Sequence, residues 1–225
     1  MKATILVVRP EPGLAATMAA AKAMDLNALG YPLFDIEPRE WSAPDADEVD
    51  ALLIGSANAI RHGGAALEPL KSKPVHAVGQ ATADAAREAG FEVASVGIGG
   101  LQMVLDAIPA PARLLRIAGA DHVPLTAPAG VTITTQIAYE AVALELPEPL
   151  RALQELNLIV LLHSAAAAEQ FARESRRLAL DRSRISLATI GPRVAEAAGT
   201  GWRAIHVCEA PSDRALLEMT RDLCI

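Results

Sequence analysis

The chain has 225 residues, 20 Lys plus Arg against 27 Asp plus Glu, a formal net charge of −7, 52% apolar residues and only 3% aromatic ones. That length lets one large or two small domains bury a core without a disulfide or metal. A net-negative chain lacks the clustered Lys and Arg that nucleic acid or an anionic membrane would require, so neither is expected as a partner. Cys208 and Cys224 sit late in the chain without CxxC spacing, which gives no redox or zinc site. After Lys2 the apolar run Ile5 to Val8 is too brief for a signal-peptide core or a membrane span, and a cytoplasmic protein is expected.

Short apolar runs bounded by turn residues read as buried strands, most of them followed by an Ala-rich stretch with helical spacing. Thr4–Val8 precedes a helix over Gly13–Met24, Ala51–Ile54 one over Ala57–Leu67, and Val75–Val78 one over Thr82–Ala89. Val93–Val96 is followed by a helix over Leu101–Ile108, and Leu114–Ile117 is a further strand. Leu158–Leu162 leads into Ala165–Arg173, Ile185–Ile190 into Ala195–Ala198, and Ala204–Val207 closes the series ahead of a terminal helix. Strand alternating with helix predicts the α/β class, with parallel sheets and right-handed crossovers.

An internal repeat sharpens this. In the segment from Ala51 a strand ends in Ser56, which opens an Ala-rich helix, and the next strand ends in Gly79, which opens another, followed by Gly90-Phe91. In the segment from Asn157 the same places are taken by Ser164, Gly191 and Gly201-Trp202. The period, from Ser56 to Ser164, is too long for a solenoid and predicts two similar α/β halves. Residues 32–38 and 137–147 break the pattern with rough apolar/polar alternation, acidic residues and proline brackets, and read as extended connectors. The organisation expected is a discontinuous domain, 1–34 plus 146–225, and an inserted one, 39–137, with connectors at 35–38 and 138–145. Two such three-layer, flavodoxin-like lobes on a two-stranded β connector would leave an interdomain cleft.

In open parallel sheets, ligands bind at the carboxyl ends of the strands. The loops there are built from small and capping residues: Arg9-Pro10, Gly55-Ser56-Ala57-Asn58, Gly79-Gln80-Ala81-Thr82, Gly97-Ile98-Gly99-Gly100, Ala118-Gly119-Ala120-Asp121, His163-Ser164, Gly191-Pro192 and Ala210-Pro211-Ser212-Asp213. Free N–H groups at helix starts favour anions, so several such ends suit a ligand with several carboxylates or phosphates. Ser56, Asn58, Thr82 and Ser164 equally suit plain N-caps, and Gly79 and Gly191 tight backbone turns. Catalytic signatures are sparse: the five histidines have no metal-ligand spacing, no GxSxG elbow accompanies either serine, and the glycine run at 97–100 lacks the lysine of a P-loop. Arg9 could meet a carboxylate, and Tyr139, on the second connector, is the polar aromatic best placed to face a cleft.

Together, in their order and spacing, these pieces resemble the uroporphyrinogen-III synthase family over essentially the whole chain. The matching segments are Val8-Arg9-Pro10-Glu11, residues 32–38, Ser56-Ala57-Asn58-Ala59, Val78-Gly79-Gln80-Ala81-Thr82-Ala83 running to Gly90-Phe91, Tyr139-Glu140, His163-Ser164 leading to Phe171, and Ile190-Gly191-Pro192 running to Gly201-Trp202. The resemblance implies a bilobal, cofactor-free, metal-free cyclase acting on hydroxymethylbilane, a linear tetrapyrrole with eight carboxylates. That reaction expels the terminal hydroxyl as water, passes through a spiro intermediate at the substituted carbon of the last ring, and closes the macrocycle with ring D inverted. Without enzyme the substrate closes to the symmetrical isomer.

The resemblance further implies Tyr139 as the catalytic residue, with substrate held by Arg9, Ser56, Ala57, Asn58, Gly79, Thr82, Ser164, Gly191 and Pro192, and a monomeric enzyme. The chain departs from the family pattern in three places: Gly55 stands where a threonine often precedes the first serine, His163 takes the matching place before Ser164, and Arg193-Val194 follow Gly191-Pro192 where a threonine is common. The competing reading is a non-catalytic two-lobed module that closes on a small polyanion. A flavin-binding pair is disfavoured by the scarcity of aromatic residues.

Overall fold

The computed structural model describes residues 3–224, so Lys2 lies outside the described residues. The chain divides into two compact units, Met1–Asp35 with Ala143–Ile225, and Ile36–Val142. In chain order the elements are β1 (Thr4–Val7), α1 (Gly13–Ala23), β2 (Ala28–Gly30), β3 (Phe34–Pro38), β4 (Ala51–Ile54), α2 (Ala57–Arg61), β5 (Val75–Val78), α3 (Gln80–Glu88), β6 (Val93–Gly97), α4 (Leu101–Asp106), β7 (Ala112–Gly119) and β8 (Val131–Ala143). The return through the first unit adds β9 (Leu158–Leu162), α5 (Ala165–Arg177), β10 (Ile185–Thr189), α6 (Pro192–Ala198), β11 (Ala204–Val207) and α7 (Asp213–Leu223), and short 3-10 turns link several of these.

The first unit holds a five-stranded sheet in the order β11-β10-β9-β1-β2, every neighbouring pair parallel. Its central strands are apolar throughout because both faces are covered. On one face Leu6, Val160 and Leu187 pack with Phe171 of α5 and Val194 of α6; on the other Ile5, Val7 and Ile159 pack with Leu14 of α1 and Leu216 of α7. The edge strand β11 alternates half-buried and exposed residues instead.

The second unit holds the sheet β3-β8-β7-β4-β5-β6. The pairs β4–β5, β5–β6, β4–β7 and β7–β8 are parallel. Ala57 and Ile60 of α2 and Ala83 and Ala86 of α3 cover one face; Val104 and Leu105 of α4 cover the other, over Leu53 and Leu114. Matching β9, β10, β11, β1 and β2 to β4, β5, β6, β7 and β8 superimposes the two strand orders. The repeat is therefore one sheet order used twice, with the chain entering it at a different strand each time.

The structure differs from these expectations in two places. The helix expected over Ala57–Leu67 stops at Arg61, where Gly63 and the left-handed Gly64 (φ +62°) divert the chain into a 3-10 turn containing Pro69. The second connector is the end of a longer strand that begins at Val131, because Val131-Thr132-Ile133-Thr134-Thr135 is β-branched throughout and pairs with β7. The three-residue β2 is too short to show a period in the sequence.

Candidate active site

Within the second unit, the carboxyl ends of β4, β6 and β7 surround a cavity of about 540 Å³. Ser56 and Asn58 line it from the start of α2, Leu101 and Gln102 from α4, residues 116–125 from the end of β7 and the loop after it, and Tyr139 from β8. Ser56 caps α2: its Oγ accepts from the Asn58 N–H at 3.2 Å. The loop after β7 is fastened over the cavity by Gln102, whose amide donates to the Thr126 carbonyl and accepts from the Thr126 N–H, both at 2.9 Å. His122 Nδ1 contacts the Gly119 carbonyl at 2.9 Å and turns the loop back on the strand end.

Tyr139 stands opposite Gly119 in the β7–β8 pairing. A Cβ at Gly119 would lie 2.6 Å from Tyr139 Cε2 and 2.8 Å from Cζ, so the bare glycine is what lets the phenol ring lie across the strand end. The ring is half-buried against the core and tilted against His62, 6.3 Å between centroids. Beside it Arg116 is only 6% exposed. Strand alternation turns it away from Leu115 and Ile117, toward the face that α4 covers. Its Nε is buried without a hydrogen-bond partner, and among the described residues no carboxylate pairs with it. Burial pushes its pKa down while Tyr139 pulls it up, and the guanidinium remains cationic at neutral pH.

Of the other residues expected in this unit, Ala57 is buried in the first turn of α2 and Gly79 precedes α3 with φ +76°. Thr82 lies inside α3, 5% exposed, and does not cap it. None of the three lines the cavity.

In the first unit, Ser164 caps α5 by accepting from the Ala167 N–H at 3.1 Å, and Gly191 precedes Pro192, the first residue of α6. Arg9 binds within its own unit: Nη1 donates to Thr17 Oγ1 at 3.1 Å and lies 3.4 Å from Asp213 Oδ1. Asp213 also accepts from Thr17 Oγ1 at 2.9 Å and meets His163 Nε2 at 2.7 Å. Burial lowers the His163 pKa against the pull of Asp213, with Arg9 acting in the same direction as burial. The neutral ring therefore donates from Nε2 to the carboxylate, which leaves Nδ1 buried and unpaired.

Sequence reasoning places Gly119, His163 and Asp213 in strand-end loops without giving them a role, and misses Arg116 and the His163–Asp213 pairing. Arg116 had a signal: one charge inside the otherwise apolar Leu114-Leu115-Arg116-Ile117 is out of place in a buried strand. The His163–Asp213 contact joins loops 50 positions apart and has no local signature.

The family model for uroporphyrinogen-III synthase HemD matches residues 15–218. The fold is similar to that of a uroporphyrinogen-III synthetase from Helicobacter pylori, with a TM-score of 0.64 and 17% identity over 99% of this chain and 100% of that one. It is also similar to a mutant uroporphyrinogen III synthase from Thermus thermophilus, with a TM-score of 0.54 and 17% identity over 98% of each chain. No curated protein sequence matches the chain.

Proposed function

The chain belongs to the uroporphyrinogen-III synthase family, and from that premise we propose that its catalytic step is centred on the Tyr139 cavity of the second unit. The protein is a cyclising hydro-lyase of haem biosynthesis that converts hydroxymethylbilane into uroporphyrinogen III. The observation carrying the site is that one cavity gathers Tyr139, Ser56 and Asn58 at the carboxyl end of a parallel sheet.

The pyrrole nitrogen lone pair drives out the terminal hydroxyl, so the protein's task is chiefly to hold a floppy chain in one near-attack geometry. In our reading the Tyr139 phenol gives its proton to the departing hydroxyl, which leaves as water. The phenolate recovers a proton from the pyrrole carbon that loses one as the macrocycle forms. The hydroxyls and N–H groups at Ser56, Ala57, Asn58, Gly79 and Thr82, and in the first unit Arg9, Ser164 and Gly191, hold acetate and propionate carboxylates, and Pro192, which has no N–H to donate, shapes the turn beside Gly191.

We further propose flavodoxin-like lobes, 1–34 plus 146–225 and 39–137, on a two-stranded connector at 35–38 and 138–145, both taking part in binding. Support comes from the division into two compact units and from the shared strand order. We also propose a monomer working in the cytoplasm without a cofactor; no described helix is long and apolar enough to cross a membrane.

The test is a coupled assay in which freshly generated hydroxymethylbilane is added and the oxidised products are resolved into type I and type III isomers. Excess type III over the enzyme-free control is expected. Tyr139→Phe should slow type III formation by about 100-fold, the usual range for losing a proton donor; an unchanged rate removes Tyr139 from the chemistry.

A further inference from the structure

We propose that Arg116 is the buried anchor for one acid side chain of the pyrrole ring that loses the hydroxyl, the cavity being a subsite for that single ring. The inference rests on the activity stated above and assigns a specific ring to a specific cation. Arg116 sits in β7 beneath the loop after the strand, 6% exposed, its Nε without a partner. A guanidinium held out of water without a counter-charge is costly to the fold, and a protein gains from that arrangement when an anion arrives to complete it.

The cavity has the character such an anion would need. Its walls are the apolar Leu101, Ile117, Val123 and Leu125, and Arg116 is its buried cation. An apolar wall with one buried fork-shaped donor matches an aromatic heterocycle carrying a short carboxylate arm, because the guanidinium can hold both oxygens at once. Asp121 and His122 also line the cavity, but both are exposed and lie on the loop above the strand. Tyr139 lines the same space, so a ring whose carboxylate is held by Arg116 is confined alongside the phenol. That confinement selects the hydroxymethyl-bearing ring, the one whose leaving group needs a proton.

The test compares wild type, Arg116→Met and Arg116→Lys in the isomer assay, in thermal melts, and in binding of a monopyrrole bearing one acetate and one propionate, followed by calorimetry. Arg116→Met removes an unpaired buried charge, so its melting temperature should equal or exceed that of wild type. Its KM should rise about tenfold or more, as expected when one partner of a buried charge pair is truncated. Monopyrrole binding should weaken by a similar factor, and Arg116→Lys should fall between the two. Unchanged KM and monopyrrole affinity in a folded Arg116→Met overturn the proposal. So does a lowered melting temperature combined with wild-type KM in Arg116→Lys, which would make the arginine structural. A wild type that yields only type I isomer defeats the activity reading, and the monopyrrole arm still decides whether Arg116 binds a carboxylate.

Discussion

Gly119 and Tyr139 constrain each other at the edge of the cavity. With Tyr139 Cε2 only 2.6 Å from where a Cβ would sit, Gly119→Ala must push the phenol aside, at a cost of about 1–3 kcal/mol for local overpacking. The expected outcome is a folded enzyme with type III formation reduced by up to about 100-fold, since a displacement near 1 Å at a reacting group has that effect. Full activity in Gly119→Ala would show that the ring's position across the strand is immaterial. Neither residue announces this contact in sequence, where they are 20 positions apart; a β7–β8 pairing is needed to put them opposite each other. Tyr139 was legible as a candidate because polar aromatics are so rare here, and Arg116 was passed over because the apolar run around it reads as core.

Helix α5 fastens the returning chain to the first unit. Gln170 Nε2 donates to the Leu144 carbonyl at 3.1 Å, Glu174 accepts from the Leu146 N–H at 2.7 Å, and Arg177 bonds both Glu174 and the Leu146 carbonyl. Glu174 is 4% exposed. Burial alone would raise its carboxyl pKa, but the Arg177 and Leu146 hydrogen bonds outweigh it and hold the group below its ordinary value of 4.5. A depressed carboxylate contributes stability that is complete above the unfolded-state value and disappears as pH falls through the folded one. Glu174→Gln should therefore be destabilised at pH 7 by about 1–3 kcal/mol, the cost of weakened buried hydrogen bonds. The gap to wild type in melting temperature should narrow below about pH 4.5; a gap constant from pH 7 to 3 would exclude the ionised carboxylate as its source. A second element-level expectation concerns α5 itself. Ser164→Ala loses the cap on the Ala167 N–H and should cost about 1 kcal/mol in denaturant unfolding; no measurable loss would mean that solvent satisfies that end.

The chain leaves and re-enters the first unit at neighbouring points, Leu33 accepting from the Leu144 N–H at 2.8 Å. Each unit also has cores on both faces of its own sheet. Joining Leu33 to Leu144 through a short glycine-containing turn should therefore give a first unit that folds alone. A fragment spanning Ile36–Val142 should do the same, each with a single cooperative thermal transition and dispersed amide resonances. A molten spectrum from either would show that its sheet depends on the rest of the chain.

What the sequence determined by itself was the local grammar. Eight apolar runs became strands, and small residues at their ends became helix starts, because burial on both faces and capping act within a few neighbours. The repeat was legible for the same reason, since β4 to β6 and β9 to β11 carry similar residues at similar spacing. Only the tertiary structure decided the order of strands, which sets β1 and β2 in places equivalent to β7 and β8 although no residue pattern links them. It also decided the site. Pairing across the sheet brings Arg116 and Tyr139 to one cavity, and non-local hydrogen bonding, which sequence periodicity does not encode, makes that pairing.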